Sequence, residues 1–369
     1  MSAQVSAERI TNFSPGPAVL PLPVLQRVQE EMLCLPGAGA SILELSHRSE
    51  EFIAIQEQAQ ARLRRLLGIG DEFDILFLQG GARLQFSMTA INLLRGQSTP
   101  AQYVLTGSWG KYAAEEARKE GAVEIIYDAK ATNYDRLPDA GELKISPEAA
   151  YVHITSNETI QGVQFLDDIH ASGAPLVCDA SSDFLCRPVN MDRYGLVYAC
   201  AQKNAGPAGV TVVVVRRELL ERSGENLPGY LSYRNHSKEG SMWNTPPTFA
   251  IYVLGLVTEW LEETIGGLDE MLNLNRKKAR LLYSKLEKYP EFYLGHARSD
   301  SRSLMNVTFR LPDADLEKQF IETAHQRGLQ NLKGHRSVGG IRASIYNAMP
   351  LAGVSLLAET MEEFAKNNA

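Results

Sequence analysis

Cysteine is scarce: the 369 residues hold four, Cys34, Cys178, Cys186 and Cys200, and no two form a CxxC pair. That speaks against a disulfide framework and for reduced structural thiols in a cytoplasmic protein. Long apolar runs are missing too, since no stretch approaches the ~18 uninterrupted apolar residues of a membrane span. Positive charge is not in excess: 37 Lys and Arg stand against 44 Asp and Glu, a net charge of −7. No global basic field therefore invites nucleic acid or an anionic membrane, although a local cationic site for an anionic substrate stays open. Met1 to Ile10 carries neither the basic nor the apolar region of a signal peptide, so the expected location is the cytoplasm. Repeats and low-complexity tracts are absent. The GxG at Gly37–Gly39 follows a helical pattern rather than a strand and lacks a third glycine, which rejects a dinucleotide fingerprint.

What is present is an ordinary globular composition, 44% hydrophobic and 22% charged. The length exceeds one typical core, so two domains are expected. Apolar runs at 73–78, 103–106, 122–127, 151–155, 174–179, 195–201 and 210–215 read as strands, with helical spacing between several of them. Strands alternating with helices imply an α/β fold with a mostly parallel sheet. Helical patterns cover 22–35, 249–264, 268–288, 313–327 and 351–367, with Ser49 as a helix N-cap ahead of a run to Leu67. The charged stretch Asn275 to Arg280 reads as a solvated helix face.

Chemistry concentrates in residues 195–216, GLVYACAQKNAGPAGVTVVVVR. A small-residue strand opens there into a Gly/Pro loop, and Lys203 sits at the junction. A desolvated lysine is a usable amine nucleophile, as a Schiff-base enzyme requires; a solvated loop lysine is the other reading. Asp179 ends a second apolar strand. The C-terminal ends of parallel strands face the ligand crevice, so Asp179 and Lys203 are expected at one rim. A carboxylate for a pyridinium nitrogen plus an imine-forming lysine is the minimum apparatus of pyridoxal phosphate (PLP) chemistry. Alone, Asp179 reads first as a cap or turn residue.

Three further features accompany the pair. Strand 73–78, the turn Gln79-Gly80-Gly81-Ala82-Arg83 and a following helix form a place where backbone N–H groups can meet phosphate, without the GK[ST] of a Walker loop. Trp109 follows a strand between glycines, with room to present its indole to a flat ring, though a tryptophan there is as readily core. Lys333, His335, Arg336 and Arg342 gather around Val338-Gly339-Gly340. They read as a solvated cationic loop or as a clamp for a dianionic phosphate.

The lysine segment Ala201-Gln202-Lys203-Asn204-Ala205-Gly206-Pro207-Ala208-Gly209 resembles that of the phosphoserine aminotransferase family, in the class V, fold type I group of PLP enzymes. The resemblance runs nearly end to end, from Asn12-Phe13-Ser14-Pro15-Gly16-Pro17 to Gly334-His335-Arg336-Ser337-Val338-Gly339-Gly340-Ile341-Arg342-Ala343-Ser344. It implies a large PLP-binding domain, residues 16–265, with a seven-stranded mostly parallel sheet, and a smaller α+β domain from 1–15 and 266–369. The implied activity moves the amino group of L-glutamate to 3-phosphohydroxypyruvate, giving O-phospho-L-serine and 2-oxoglutarate in serine synthesis; a further role in pyridoxine synthesis stays open. By the same resemblance Lys203 binds PLP covalently and moves the substrate proton, and Asp179 keeps the pyridine nitrogen protonated. Trp109 stacks on the ring, and Thr159 bonds its phenolic oxygen. Ala82, Arg83 and Gln202 hold the phosphate, with Asn244 and Thr245 from the other chain of a homodimer. His47 and Arg48 take a carboxylate, and His335, Arg336 and Arg342 the distal anion. No metal is implied.

Two rivals fit less well. A desulfurase would need a nucleophilic cysteine and a histidine before the lysine, but Gln202 precedes Lys203 and no cysteine follows Cys200. A non-enzymatic PLP-binding protein would typically lose the substrate arginines, which this chain keeps.

Overall fold

Seven strands build the central sheet: β1 (Phe73–Leu78), β2 (Ala101–Leu105), β3 (Val123–Asp128), β4 (Val152–Thr155), β5 (Leu176–Asp179), β6 (Leu196–Cys200) and β7 (Thr211–Arg216). Their order is β1-β7-β6-β5-β4-β2-β3. The neighbours among β2 to β6 run parallel, while β7 lies antiparallel to both β1 and β6. The valines of β7 show why this sheet needs cover on both faces. Val212 and Val214 join one hydrophobic cluster, Val213 and Val215 another, and each is at most 1% exposed. A buried valine contributes on the order of 1.5–3 kcal/mol, so an uncovered face would be costly.

This computed structural model describes residues 9–139, 141–171 and 173–369; most of the segment read as lacking a signal peptide lies outside them. One face of the sheet is covered by α2 (Glu50–Leu67) and α5 (Thr248–Glu259), with α1 (Leu22–Glu31) beyond them. The other is covered by α3 (Gly81–Leu93) and α4 (Ser108–Ala117). Ser49 caps α2 as the sequence suggests, its hydroxyl accepting from the Phe52 N–H at 3.3 Å. α1 is shorter than its pattern: it stops at Glu31, and Leu33 is 88% exposed rather than on the apolar face.

The rest of the chain forms a second core around α6 (Leu268–Lys288), α7 (Ala314–Gln326), α8 (Leu351–Asn368) and a three-stranded antiparallel sheet. The strands of that sheet are β8 (Leu294–Gly295), β9 (Asn306–Arg310) and β10 (Ile341–Ser344). Phe13, fully buried, joins this core, and Thr11–Asn12 pairs in parallel with Leu329–Gln330. The N-terminal segment is thereby tied to the C-terminal part of the chain.

The solvated face expected on α6 is corrected at two positions. Asn275 and Lys278 are 0% exposed. Lys278 Nζ donates to the carbonyls of Ile345 at 2.9 Å, Tyr346 at 2.6 Å and Asn347 at 3.3 Å. Three acceptors match the three N–H of an ammonium, while burial draws its pKa down to about 7. Asn275 bonds Asn347 Oδ1 at 2.9 Å, and the Asn347 N–H donates to Asn204 Oδ1 at 2.9 Å. A buried polar chain therefore runs from α6 to the residue beside Lys203. Removing Lys278 would strand carbonyls whose desolvation costs about 1–3 kcal/mol each.

Candidate active site

The C-terminal ends of β4 and β5 and the loop after β6 meet over one cavity of about 230 Å³. Its walls include Gly80 to Arg83, Trp109, Thr159, Asp179, Gln202 and Lys203. Asp179 closes β5 and pairs in register with Thr155 of β4 and Tyr198 of β6, so the two-dimensional order of the sheet brings it to the rim. The carboxylate is 4% exposed, and Oδ1 accepts from the Ser181 N–H at 3.0 Å. Burial pushes its pKa up, and Ser181 and Lys203 pull against that. No protein cation reaches it within ion-pair distance among the described residues.

Lys203 lies half-buried across the cavity. Its Nζ donates to Thr159 Oγ1 at 2.7 Å and stands 5.9 Å from the centroid of the Trp109 indole. The N-terminal segment packs behind it. Gly16, at φ +140°, approaches so closely that a Cβ there would meet Lys203 Cγ at 3.3 Å, and the Ala18 N–H donates to the Gln202 carbonyl at 2.8 Å. Glycine is favoured by that φ and eases that approach. The Asn12–Pro17 stretch is thus explained as the back wall of the lysine loop.

Opposite, α3 begins at Gly81 with no side-chain cap at Gly80, so the N–H groups of Ala82 and Arg83 head a helix over the cavity. The Arg83 guanidinium covers Tyr112 at 4.3 Å and Trp109 at 5.7 Å. Trp109 belongs to the first turn of α4 rather than to the loop ahead of it. Trp109 Nε1 and Thr155 Oγ1 are buried with no partner among the described residues.

The C-terminal cations divide. Arg342 on β10 is 7% exposed, and its Nη1 donates to the Thr159 carbonyl at 3.3 Å while Nε is buried without a partner among the described residues. Arg342 and His335 line a second cavity of about 320 Å³ together with Arg310 and His296. Burial first, then Arg342 and Arg336, lowers the His335 pKa. Arg336 and Lys333 are exposed and outside that lining.

Besides Arg336, four expected residues are not brought to either cavity by their own chain. His47 and Arg48 stand in the turn before α2, and Asn244 and Thr245 on an exposed loop beside Gln79, with Asn244 Nδ2 3.5 Å from Gln79 Oε1. Sequence reasoning also missed a residue the site is built on: Glu158, 0% exposed, next to Thr159. Its only signal was an acid among small neutral residues just past a strand end.

The residues present fit PLP. A buried carboxylate without a protein cation suits a protonated pyridine nitrogen, uncapped helical N–H groups suit a phosphate, and an indole wall faces an amine. The family model described as Aminotransferase class-V matches residues 10–357. A phosphoserine aminotransferase of Rhodopirellula baltica is 56% identical, covering 100% of this chain and 99% of its own. The solved phosphoserine aminotransferase of Bacillus circulans subsp. alkalophilus is 46% identical with a TM-score of 0.95, covering 98% of this chain and 100% of its own. The PLP-bound phosphoserine aminotransferase of Trichomonas vaginalis is 39% identical with a TM-score of 0.90, covering 96% and 100%.

Proposed function

We infer, from the premise that the chain belongs to the class V aminotransferase family, that it is a PLP-dependent phosphoserine transaminase of serine synthesis. The observation that carries this is the convergence of Lys203, Asp179, Trp109 and Thr159 on one cavity. When bound, PLP supplies the electron sink that lets an α-proton leave. Lys203 is the amine that would hold the cofactor and move the substrate proton, and its contact with Thr159 fixes Nζ on one side of the cavity. Asp179 would hold the positive charge of the pyridine nitrogen. Ala82, Arg83 and Gln202 hold the phosphate through the start of α3 and the lysine loop. The division into a 16–265 domain and a domain of 1–15 with 266–369 is supported by the separate core around α6 to α8, residues 1–8 lying outside the described ones.

The reading gives Asn244 and Thr245 to the cavity of a partner protomer and His47 and Arg48 to a substrate carboxylate, making the protein an obligate homodimer of the cytoplasm. No helix among the described residues is long and apolar enough to cross a membrane. Mixing Lys203→Ala chains with Asn244→Ala chains is expected to restore activity through heterodimers with one intact site. Full activity from a dilute, demonstrably monomeric sample would refute the shared site.

Specificity rests on the distal cations. Glutamate offers a carboxylate and phosphohydroxypyruvate a dianion to the same Arg342 and His335, and guanidinium forks fit both. The dianion draws more from each charged hydrogen bond, worth roughly 1.5–3 kcal/mol. Arg342→Leu is therefore expected to lower kcat/KM for phosphohydroxypyruvate more than for glutamate and to leave pyruvate almost unchanged. Arg48→Leu is expected to weaken all three. Equal losses in Arg342→Leu would remove the phosphate clamp from the account.

A further inference from the structure

We propose that Glu158 is a positioning residue whose carboxylate fastens the start of α4 to the turn after β4, setting Trp109 and Thr159 on the two sides of Lys203. The proposal rests on the reading of the cavity as a PLP site. The first N–H groups of an α-helix have no partner within the helix. At the start of α4 the N-cap is Gly107, which has no side chain to offer. The N–H groups of Ser108, Trp109 and Gly110 are met instead by one turn. Glu158 Oε2 accepts from the Trp109 N–H at 3.0 Å and Oε1 from the Gly110 N–H at 2.9 Å, and Gln161 Oε1 accepts from the Ser108 N–H at 3.4 Å. The positive end of the helix dipole faces the carboxylate.

The approach is close enough to dictate the sequence at the cap. A Cβ on residue 107 would lie 2.5 Å from Glu158 Cδ, so the glycine that gives up its own capping group makes room for the remote one. Glu158 has no ion-pair partner among the described residues, and its charge is spent on the two N–H groups. Thr159, the next residue, points the other way: its hydroxyl accepts from Lys203 Nζ at 2.7 Å and its carbonyl from Arg342 Nη1 at 3.3 Å. Adjacent residues thus tie the indole wall, the lysine amine and the distal arginine into one frame. Asp179, Lys203 and Tyr134 are the titratable groups that face Glu158. Burial pushes the Glu158 carboxyl up to about 7, against the pull of the two N–H groups. A proton there would replace an acceptor by a donor at one of them.

The chain has three tryptophans, so replacing Trp243 and Trp260 by Phe leaves Trp109 as the sole indole reporter. In that background, apoprotein with and without Glu158→Gln is titrated with PLP while Trp109 emission is followed. Glu158→Gln is expected to shift the emission of the apoprotein and weaken PLP binding about tenfold or more, the worth of one charged hydrogen bond. It should also lower kcat with KM for glutamate nearly unchanged, whereas general loss of fold would move both. Emission and PLP affinity equal to the background protein would overturn the proposal. A second measurement needs no change at Glu158: Trp109 emission of the apoprotein is expected to titrate with a midpoint near that of the carboxyl. A flat profile across that midpoint would also overturn it. If the background protein binds no PLP at all, the cofactor reading itself fails and takes this one with it.

Discussion

Lys203→Ala is expected to abolish transamination while leaving the protein folded and able to take up PLP noncovalently. The side chain has one polar contact, to Thr159 Oγ1, and its methylenes pack on Gly16, so its loss opens space without stranding a buried charge. Function loses two things together. The covalent anchor that Lys203 would give the cofactor disappears, and so does the one amine that the described residues place over the cavity to carry the α-proton, a role worth roughly 10²–10⁴-fold by itself. Borohydride treatment of the native protein is expected to fix the chromophore on the peptide containing Lys203, and to fix nothing in the variant. A Lys203→Ala protein that transaminates at the native rate would sink the assignment.

Asp179→Asn is expected to keep the cofactor bound and to lose turnover by two to four orders of magnitude. The carboxylate is 4% exposed, and its one backbone partner, Ser181, is retained by asparagine. What is lost is the charge that would pair with a protonated pyridine nitrogen. Breaking such a buried pair costs roughly 3–5 kcal/mol, which as a barrier is about 10²–10⁴ in rate. PLP affinity would fall less, since phosphate, ring and lysine contacts remain. Unchanged turnover, measured as single-turnover conversion with glutamate, would reduce Asp179 to a turn residue.

Both residues were legible because strand ends are legible: an apolar run that stops on a charge places that charge at the sheet rim. The sheet itself followed from β-branched runs such as β7. Glu158 was not legible, because its role depends on α4 approaching across a gap that no local pattern records. Lys278 was misread for a related reason. A lysine on a charged helix looks solvated unless one knows that residues 345–347 turn three carbonyls toward it. His47, Arg48, Asn244 and Thr245 could be matched by motif, yet their own chain leaves them away from the cavity. A site completed by a second copy of the chain, as proposed, would be invisible to spacing along one chain.

Amino-acceptor profiling of the purified protein, with glutamate as donor, tests the central claim most directly. Saturating PLP is present, and kcat/KM is compared for 3-phosphohydroxypyruvate, pyruvate and glyoxylate. The account predicts a strong preference for 3-phosphohydroxypyruvate, carried by the cations around Arg342. A preference for pyruvate or glyoxylate would contradict it and leave the chain a class V aminotransferase of different specificity.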